Sequence, residues 1–366
     1  MDILELKKKC INKAEKTASR VKDGIPYTTV DGKYDDWSDE KKVVWWTNSF
    51  WSGILWELYD RTKKEEYAGW AAGVEEKLSS VLHTRYGNLD HDLGFLWLLT
   101  GVDNYKRTGN SKSKNDALLA ASVLASRFNI KGNFIRAWNN WGSINNEGKA
   151  IIDCMMNLPL LYWASEETGS NNLKDIAMAH ADTVIKHFQR PDGSTKHIVC
   201  FDVKTGAYTG EEGGQGYREG SSWTRGQGWI IYGMAQSYQW TKEARYLESA
   251  KKAADYFINE AEKFGYKIPC DFCQPEADEI YDSSAAAIAA CGMLEIYRET
   301  KEDKYLEGAK KLIEACDKFF CPWDDESDEA LMNFGSLRYS EPEQIALIYG
   351  DYYFFHAVCA LADIEG

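Results

Sequence analysis

One signature recurs five times along the chain and limits its architecture more than any other feature. An apolar stretch runs into a turn beginning with Thr, and a stretch rich in Ala and Lys follows. The turns read Tyr59-Asp60-Arg61-Thr62-Lys63, Tyr105-Lys106-Arg107-Thr108-Gly109, Ser165-Glu166-Glu167-Thr168-Gly169, Tyr238-Gln239-Trp240-Thr241-Lys242 and Tyr297-Arg298-Glu299-Thr300-Lys301. These are five helical hairpins, repeated every roughly 46 to 73 residues with loops of variable length. The first helix of each pair is apolar nearly all round, as in 50–58, 93–99 and 285–296, whereas the second carries Lys and Glu on one face. Residues 345–362 form a further apolar helix with no partner after it, and 1–20 an amphipathic helix with none before it. Pairing the two ends closes a ring of six inner and six outer helices, an all-α (α/α)6 barrel, and residues 1–366 read as a single such domain. An open superhelix would leave the apolar last helix as an unprotected edge. With 366 residues, 44% of them hydrophobic, the chain has ample material for the core of such a barrel.

Charge and cysteine usage narrow the function. A net charge of −14 excludes nucleic acid and long polyanions, both of which need a basic footprint. An anionic ligand must be short and held by a local cation against the long-range field. Residues 1–20 lack the apolar core of a signal peptide, and no run of about 18 apolar residues occurs, so a cytoplasmic protein with no membrane attachment is expected. Nine cysteines, odd in number and scattered through apolar stretches, read as reduced core residues. Cys270 and Cys273 form a lone CxxC without a second ligand pair, and neither a metal nor a cofactor is expected.

About 14 to 16 residues before each Thr turn, where an inner helix starts, the sequence becomes polar: Asn48, Asp92, Asp153, Arg225 and Ser284 hold corresponding places. These side chains should gather at one end of the barrel. Long aromatic segments lead into that end (24–47, 132–149, 190–224 and 321–341), and connections of such length usually form functional walls. Within them, 196–209 has the pattern of a β-hairpin. Asp153 opens an apolar helix, where lost hydration would raise its pKa and keep a proton available, as a general acid requires. Asp92 has polar neighbours and should stay ionised, accepting hydroxyl hydrogen bonds. For both, helix capping is the plainer alternative. Arg225, between Trp223 and Trp229, offers a guanidinium fork for a substrate carboxylate, the alternative being an ion pair with a neighbour such as Glu219. Trp45, Trp46, Trp51, Trp138, Trp141, Trp223 and Trp229 fall in or beside the loop end, where flat faces suit sugar rings, although many aromatics in any chain are core. His197 and Gln215, from the longest loop, are candidate ligand-orienting groups, or simply solvated ones.

Several of these segments, taken together, resemble a known family. Trp45-Trp46-Thr47-Asn48, His91-Asp92-Leu93-Gly94-Phe95, Ile152-Asp153-Cys154-Met155-Met156-Asn157, Trp223-Thr224-Arg225-Gly226-Gln227-Gly228-Trp229 and Gly350-Asp351-Tyr352 occur in the order found in the unsaturated glucuronyl hydrolases, glycoside hydrolase family 88. The resemblance covers nearly the whole chain. It implies a bacterial glycosidase that takes short oligosaccharides left by polysaccharide lyases and removes the terminal 4,5-unsaturated uronic acid by hydrating its vinyl ether. Asp153 matches the family's general acid and base, and Asp92 the residue that holds sugar hydroxyls and supports the developing charge. Trp46, Trp138, His197, Gln215, Trp223, Arg225 and Trp229 match the substrate-contacting set, with Arg225 near the carboxylate; a monomer or homodimer working without a cofactor is expected. Gly214 departs from relatives that carry a basic residue before Gln-Gly-Tyr, which puts sulfate tolerance in doubt and favours unsulfated chondroitin or hyaluronan disaccharides. The rivals are an unsaturated rhamnogalacturonyl hydrolase acting on pectin fragments and a non-catalytic sugar-binding protein, which would have no need of an acid on an apolar helix.

Overall fold

The computed structural model describes residues 1–39 and 41–366. Five inner helices are Phe50–Thr62, Leu158–Thr168, Thr224–Thr241, Ser283–Thr300 and Ile348–Glu365; the sixth runs from Leu93–Trp97 through a π turn, Leu98–Val102, into Asp103–Thr108. The outer helices are Ile3–Val21, Glu65–Thr84, Ser111–Ser126, Asn171–His187, Ala244–Lys263 and Asp303–Phe319. Each inner helix packs on the next around the ring, and Ile348–Glu365 packs on Phe50–Thr62 to close it. The N-terminal helix lies across both, so the two chain ends form the sixth pair of the (α/α)6 barrel.

The Thr turn has a physical basis that accounts for its recurrence. In every pair the residue after Thr takes a left-handed conformation, with φ of 58° at Lys63, 75° at Gly109, 69° at Gly169, 57° at Lys242 and 59° at Lys301. The Thr hydroxyl donates to the carbonyl four residues back, at 2.7 Å for Thr62 and 2.8 Å for Thr300, and accepts the N–H two residues on. One side chain thus satisfies an orphan carbonyl of the ending helix and an N–H of the starting one. The inner helices meet closely where side chains vanish: a Cβ on Gly292 would lie 2.8 Å from the Tyr232 nitrogen.

Two local features differ from the sequence pattern. The helix expected to open at Asp153 begins instead at Leu158, and Ile152–Met156 is a 3-10 turn. Pro159 is the cause: it has no N–H to offer the Met155 carbonyl, so an α-helix cannot run through from Asp153. The 196–209 hairpin forms from Ile198–Phe201 and Tyr208–Glu212, and Lys149–Ile151 adds a third antiparallel strand to it. That added strand delivers the chain into Asp153 directly beside His197, with the Ile152 N–H donating to the His197 carbonyl at 3.0 Å. A second hairpin, Gly335–Arg338 with Glu341–Ile345, covers the same end of the barrel.

Candidate active site

At the end of the barrel where the inner helices begin lies a cavity of about 430 Å³, and both Asp92 and Asp153 line it. Neither acts as a cap: Asp92 precedes Leu93 but makes no cap hydrogen bond, and Asp153 sits inside the 3-10 turn. Asn157, which sequence reasoning left without a role, ties the two acids together. Its amide nitrogen donates to Asp92 Oδ1 at 3.3 Å and to the Asp153 carbonyl at 3.4 Å, while its Oδ1 accepts the Phe95 N–H at 2.7 Å. Gly94 makes this possible, since a Cβ there would lie 2.3 Å from the Asn157 Cα.

His197 faces Asp153, with Nε2 3.6 Å from Oδ2. Its Nδ1 accepts the Gln215 N–H at 2.9 Å, which leaves Nε2 to carry the ring proton on the side of the carboxylate. Beneath the ring lies Trp223, at 4.2 Å between centroids. Asp153 Oδ2 and His197 Nε2 are both buried with no hydrogen-bond partner among the described residues, leaving polar atoms for a ligand to satisfy.

The electrostatics of the acid pair reverse the expectation. Burial pushes the Asp153 carboxyl up, but His197, helped by Arg225, outweighs burial and holds it below its ordinary value. Asp92 is driven well above its ordinary value, first by burial and then by the charges of Asp90 and Asp153. Of the two, Asp92 therefore keeps its proton to higher pH and Asp153 ionises first. Polar neighbours in sequence did not reveal that Asp90, whose carboxylate accepts the Asp92 N–H at 3.0 Å, adds a second negative charge at close range. His91 is buried with both ring nitrogens unpartnered among the described residues, Nε2 3.4 Å from Asp92, and burial pushes its pKa down to about 3, so it is neutral.

Trp46, Trp138, Gln215 and Arg225 also line the cavity, together with Trp45 and Trp141. Trp223 and Trp229 do not. Trp223 supports His197 from behind, and Trp229 is core, packed on Phe95 and Tyr353. Trp51 is likewise buried, its indole donating to the Lys22 carbonyl at 2.7 Å. The ion-pair partner of Arg225 is Asp282, not Glu219; its guanidinium also donates to the Ser336 carbonyl at 2.6 Å and the Leu337 carbonyl at 2.9 Å. Gln215 donates through Nε2 to the same Leu337 carbonyl at 2.7 Å. Sequence reasoning did not single out Arg338 and Tyr349, which complete the wall from the second hairpin and the last helix. Among the described residues no three His, Cys, Asp or Glu side chains are placed to hold a metal ion, and no helix is long and apolar enough to cross a membrane.

Comparison with known proteins gives a consistent family. The model described as Glycosyl Hydrolase Family 88 matches residues 16–239. An unsaturated glucuronyl hydrolase from Bacillus sp. (strain GL1) is 36% identical over 326 residues, 86% of each chain. An unsaturated chondroitin disaccharide hydrolase from Streptococcus pyogenes serotype M1 is 32% identical, covering 86% of this chain and 80% of the relative. The crystal structure of unsaturated glucuronyl hydrolase from Bacillus sp. GL1, responsible for the degradation of glycosaminoglycan, superposes with a TM-score of 0.88 at 33% identity, over 95% of this chain and 94% of that one.

Proposed function

The chain belongs to Glycosyl Hydrolase Family 88, and from that membership we propose that it removes the terminal 4,5-unsaturated glucuronic acid from lyase-generated glycosaminoglycan oligosaccharides by hydrating the C4=C5 vinyl ether. The observation that carries this reading is the Asp153 carboxylate, its Oδ2 buried beside Nε2 of His197 in a cavity walled by indoles. In the free protein Asp92 is the member of the pair that keeps a proton to higher pH. An arriving uronate brings negative charge beside Asp153 and expels water, and both raise a carboxyl's pKa, so Asp153 takes up a proton as the complex forms. Asp153 then gives that proton to C4, the π electrons form the new C4–H bond, and C5 becomes an oxocarbenium centre stabilised by the carboxylate left behind. Water adds to C5 and returns its proton to Asp153. The hemiketal opens and releases the remaining saccharide. One water is consumed and the acid is regenerated, so the separation of the two carboxylates carries no stereochemical meaning of the kind it has in two-carboxylate glycosidases.

Arg338, half exposed on the cavity wall and only loosely paired with Glu341 at 3.5 Å, would receive the uronate carboxylate in a chain whose net charge is −14, with Arg225, already paired with Asp282, adding its N–H groups left free. At Gly214, φ is +64° and an added Cβ would lie 2.0 Å from His197 Nδ1. A basic side chain there is incompatible with this His197 position, which supports unsulfated chondroitin or hyaluronan disaccharides as substrates. In this reading residues 1–366 form one catalytic domain working in the cytoplasm of a bacterium as a monomer or homodimer, without a cofactor. The test is to incubate the protein with an unsulfated unsaturated disaccharide and follow the near-ultraviolet absorbance of the C=C bond. Loss of absorbance with release of the second sugar is expected; sugar release with the absorbance intact would rule out hydration.

A further inference from the structure

A second cavity, of about 380 Å³, borders the catalytic one: Leu89 lines both, and the turn Tyr86–Asn88 gives Tyr86 and Gly87 to the second and Asn88 to the first. Its volume lies within the about 300–1,000 Å³ of small-ligand pockets. Its wall carries Arg127 and Arg136, and among the described residues neither has a carboxylate within ion-pair distance. Glu147 is the one acidic side chain on this wall, and it forms no ion pair with either arginine among the described residues; in a chain with 57 acidic and 43 basic residues, two adjacent arginines without a direct carboxylate partner are an exception.

The two guanidiniums differ in what they are free to do. Arg127 is bound by the protein itself, donating to the carbonyls of Arg136 at 2.9 Å, Leu89 at 3.1 Å and Ala137 at 3.0 Å and to Asn139 Oδ1 at 2.9 Å. It fixes the segments that carry Asp90 and Trp138, and its charge is not cancelled by neutral carbonyls. Arg136 gives only Nη2, to Asn139 Oδ1 at 2.8 Å, and its remaining N–H groups have no acceptor among the described residues. Asn139 stays in place independently, through donations to the carbonyls of Gly87 and Leu89, both at 3.0 Å. At the rim the Tyr86 ring is 70% exposed, a flat apolar face beside an unpaired cation. An oxyanion on a sugar ring fits this combination: the guanidinium fork takes the carboxylate and the aromatic ring takes the pyranose face.

We propose that this second cavity is an anionic-saccharide subsite that takes the next uronic acid of a substrate longer than a disaccharide, with Arg136 on its carboxylate and Tyr86 against its ring. The proposal rests on the reading of the catalytic cavity given above. In glycosaminoglycan chains the uronic acid alternates with a second sugar, so a tetrasaccharide whose unsaturated end is being hydrated places another carboxylate two sugars further on, and the second cavity adjoins the first. A disaccharide has no such group and does not use it.

The experiment compares kcat/KM for an unsaturated hyaluronan tetrasaccharide with that for the disaccharide, in the wild type, Arg136→Gln and Tyr86→Ala. The ratio of tetrasaccharide to disaccharide should fall about tenfold in Arg136→Gln through KM, the loss of one charge-assisted contact, and less in Tyr86→Ala. The wild-type ratio should also shrink as salt is raised, because the contact is solvent-accessible. A ratio equal in all three proteins overturns the subsite. A wild type that leaves the absorbance of both substrates unchanged points instead to failure of the catalytic reading. In that case tetrasaccharide affinity measured by titration calorimetry still decides the subsite, being weaker in Arg136→Gln if it exists and equal if it does not.

Discussion

Replacing Gly214 by Ala tests how the base of the site is held, and the same loop provides its control. Gly214 and Gly220 both have positive φ, +64° and +79°, but a Cβ at Gly220 meets nothing within 4 Å, whereas one at Gly214 would lie 2.0 Å from His197 Nδ1. Gly220→Ala therefore reports the left-handed backbone strain alone, about 1–2 kcal/mol. Gly214→Ala carries the same strain and must also displace the His197 ring, breaking its 2.9 Å hydrogen bond from the Gln215 N–H, which adds about 1 kcal/mol. The larger consequence is chemical. His197 is the main group holding Asp153 low, so moving it lets the Asp153 pKa rise, and misplacement on this scale costs on the order of a hundredfold in rate. Urea denaturation of both variants and pH profiles of kcat/KM on the unsaturated disaccharide supply the readouts. Gly220→Ala should lose stability with near-normal kcat/KM; Gly214→Ala should lose more stability, lose activity, and show its alkaline limb at higher pH, because the acid form of Asp153 then persists further up the pH scale. If the two variants behave alike in both assays, His197 is not held as described and its role beside Asp153 is refuted.

Three further outcomes follow from the same geometry. Because Asp92 keeps its proton in the folded state above the ordinary carboxylate value, wild-type stability should fall as pH rises from about 4 through the raised folded value, and Asp92→Asn should gain on the wild type over that window in pH-dependent denaturation. Arg225→Gln leaves the fully buried Asp282 without its countercharge and should cost about 3–5 kcal/mol by urea denaturation, part of it recovered when Asp282→Asn is added. Thr300→Val removes the hydroxyl that bonds the Ile296 carbonyl and the Glu302 N–H, at the end of the barrel away from the site; it should cost about 1 kcal/mol in stability with kcat/KM unaltered.

The barrel was legible because its determinants are local. A Thr hydroxyl and a left-handed residue fit within five positions, so the hairpin repeat is visible in the sequence, and the alternation of all-apolar with amphipathic helices orders the layers. The acids could be placed at one end for the same reason, since each lies at a fixed offset from its turn. What escaped depends on contacts between distant segments. His197 reaches Asp153 only because a strand at Lys149–Ile151 pairs with Ile198–Phe201, and nothing within either segment announces that pairing. The reversal of the two carboxylate pKa values has the same origin, with His197 and Arg225 converging on Asp153 and Asp90 turned toward Asp92. Trp223 and Trp229 are close to Arg225 in sequence, but the helix starting at Thr224 directs Trp229 into the inner ring and leaves Trp223 behind His197. Asp282, the countercharge of Arg225, belongs to the next inner hairpin, and a partner so remote in sequence could not be chosen over Glu219 by proximity.

The central claim is that one carboxyl group delivers the proton that saturates C4. It is tested most directly by Asp153→Asn, an exchange of nearly equal size that removes the proton and the charge. With the unsaturated disaccharide the variant should bind near wild-type strength yet leave the C=C absorbance essentially unchanged, its turnover lower by about a thousandfold or more. An Asp153→Asn protein that consumes the double bond within about tenfold of the wild-type rate would contradict the account.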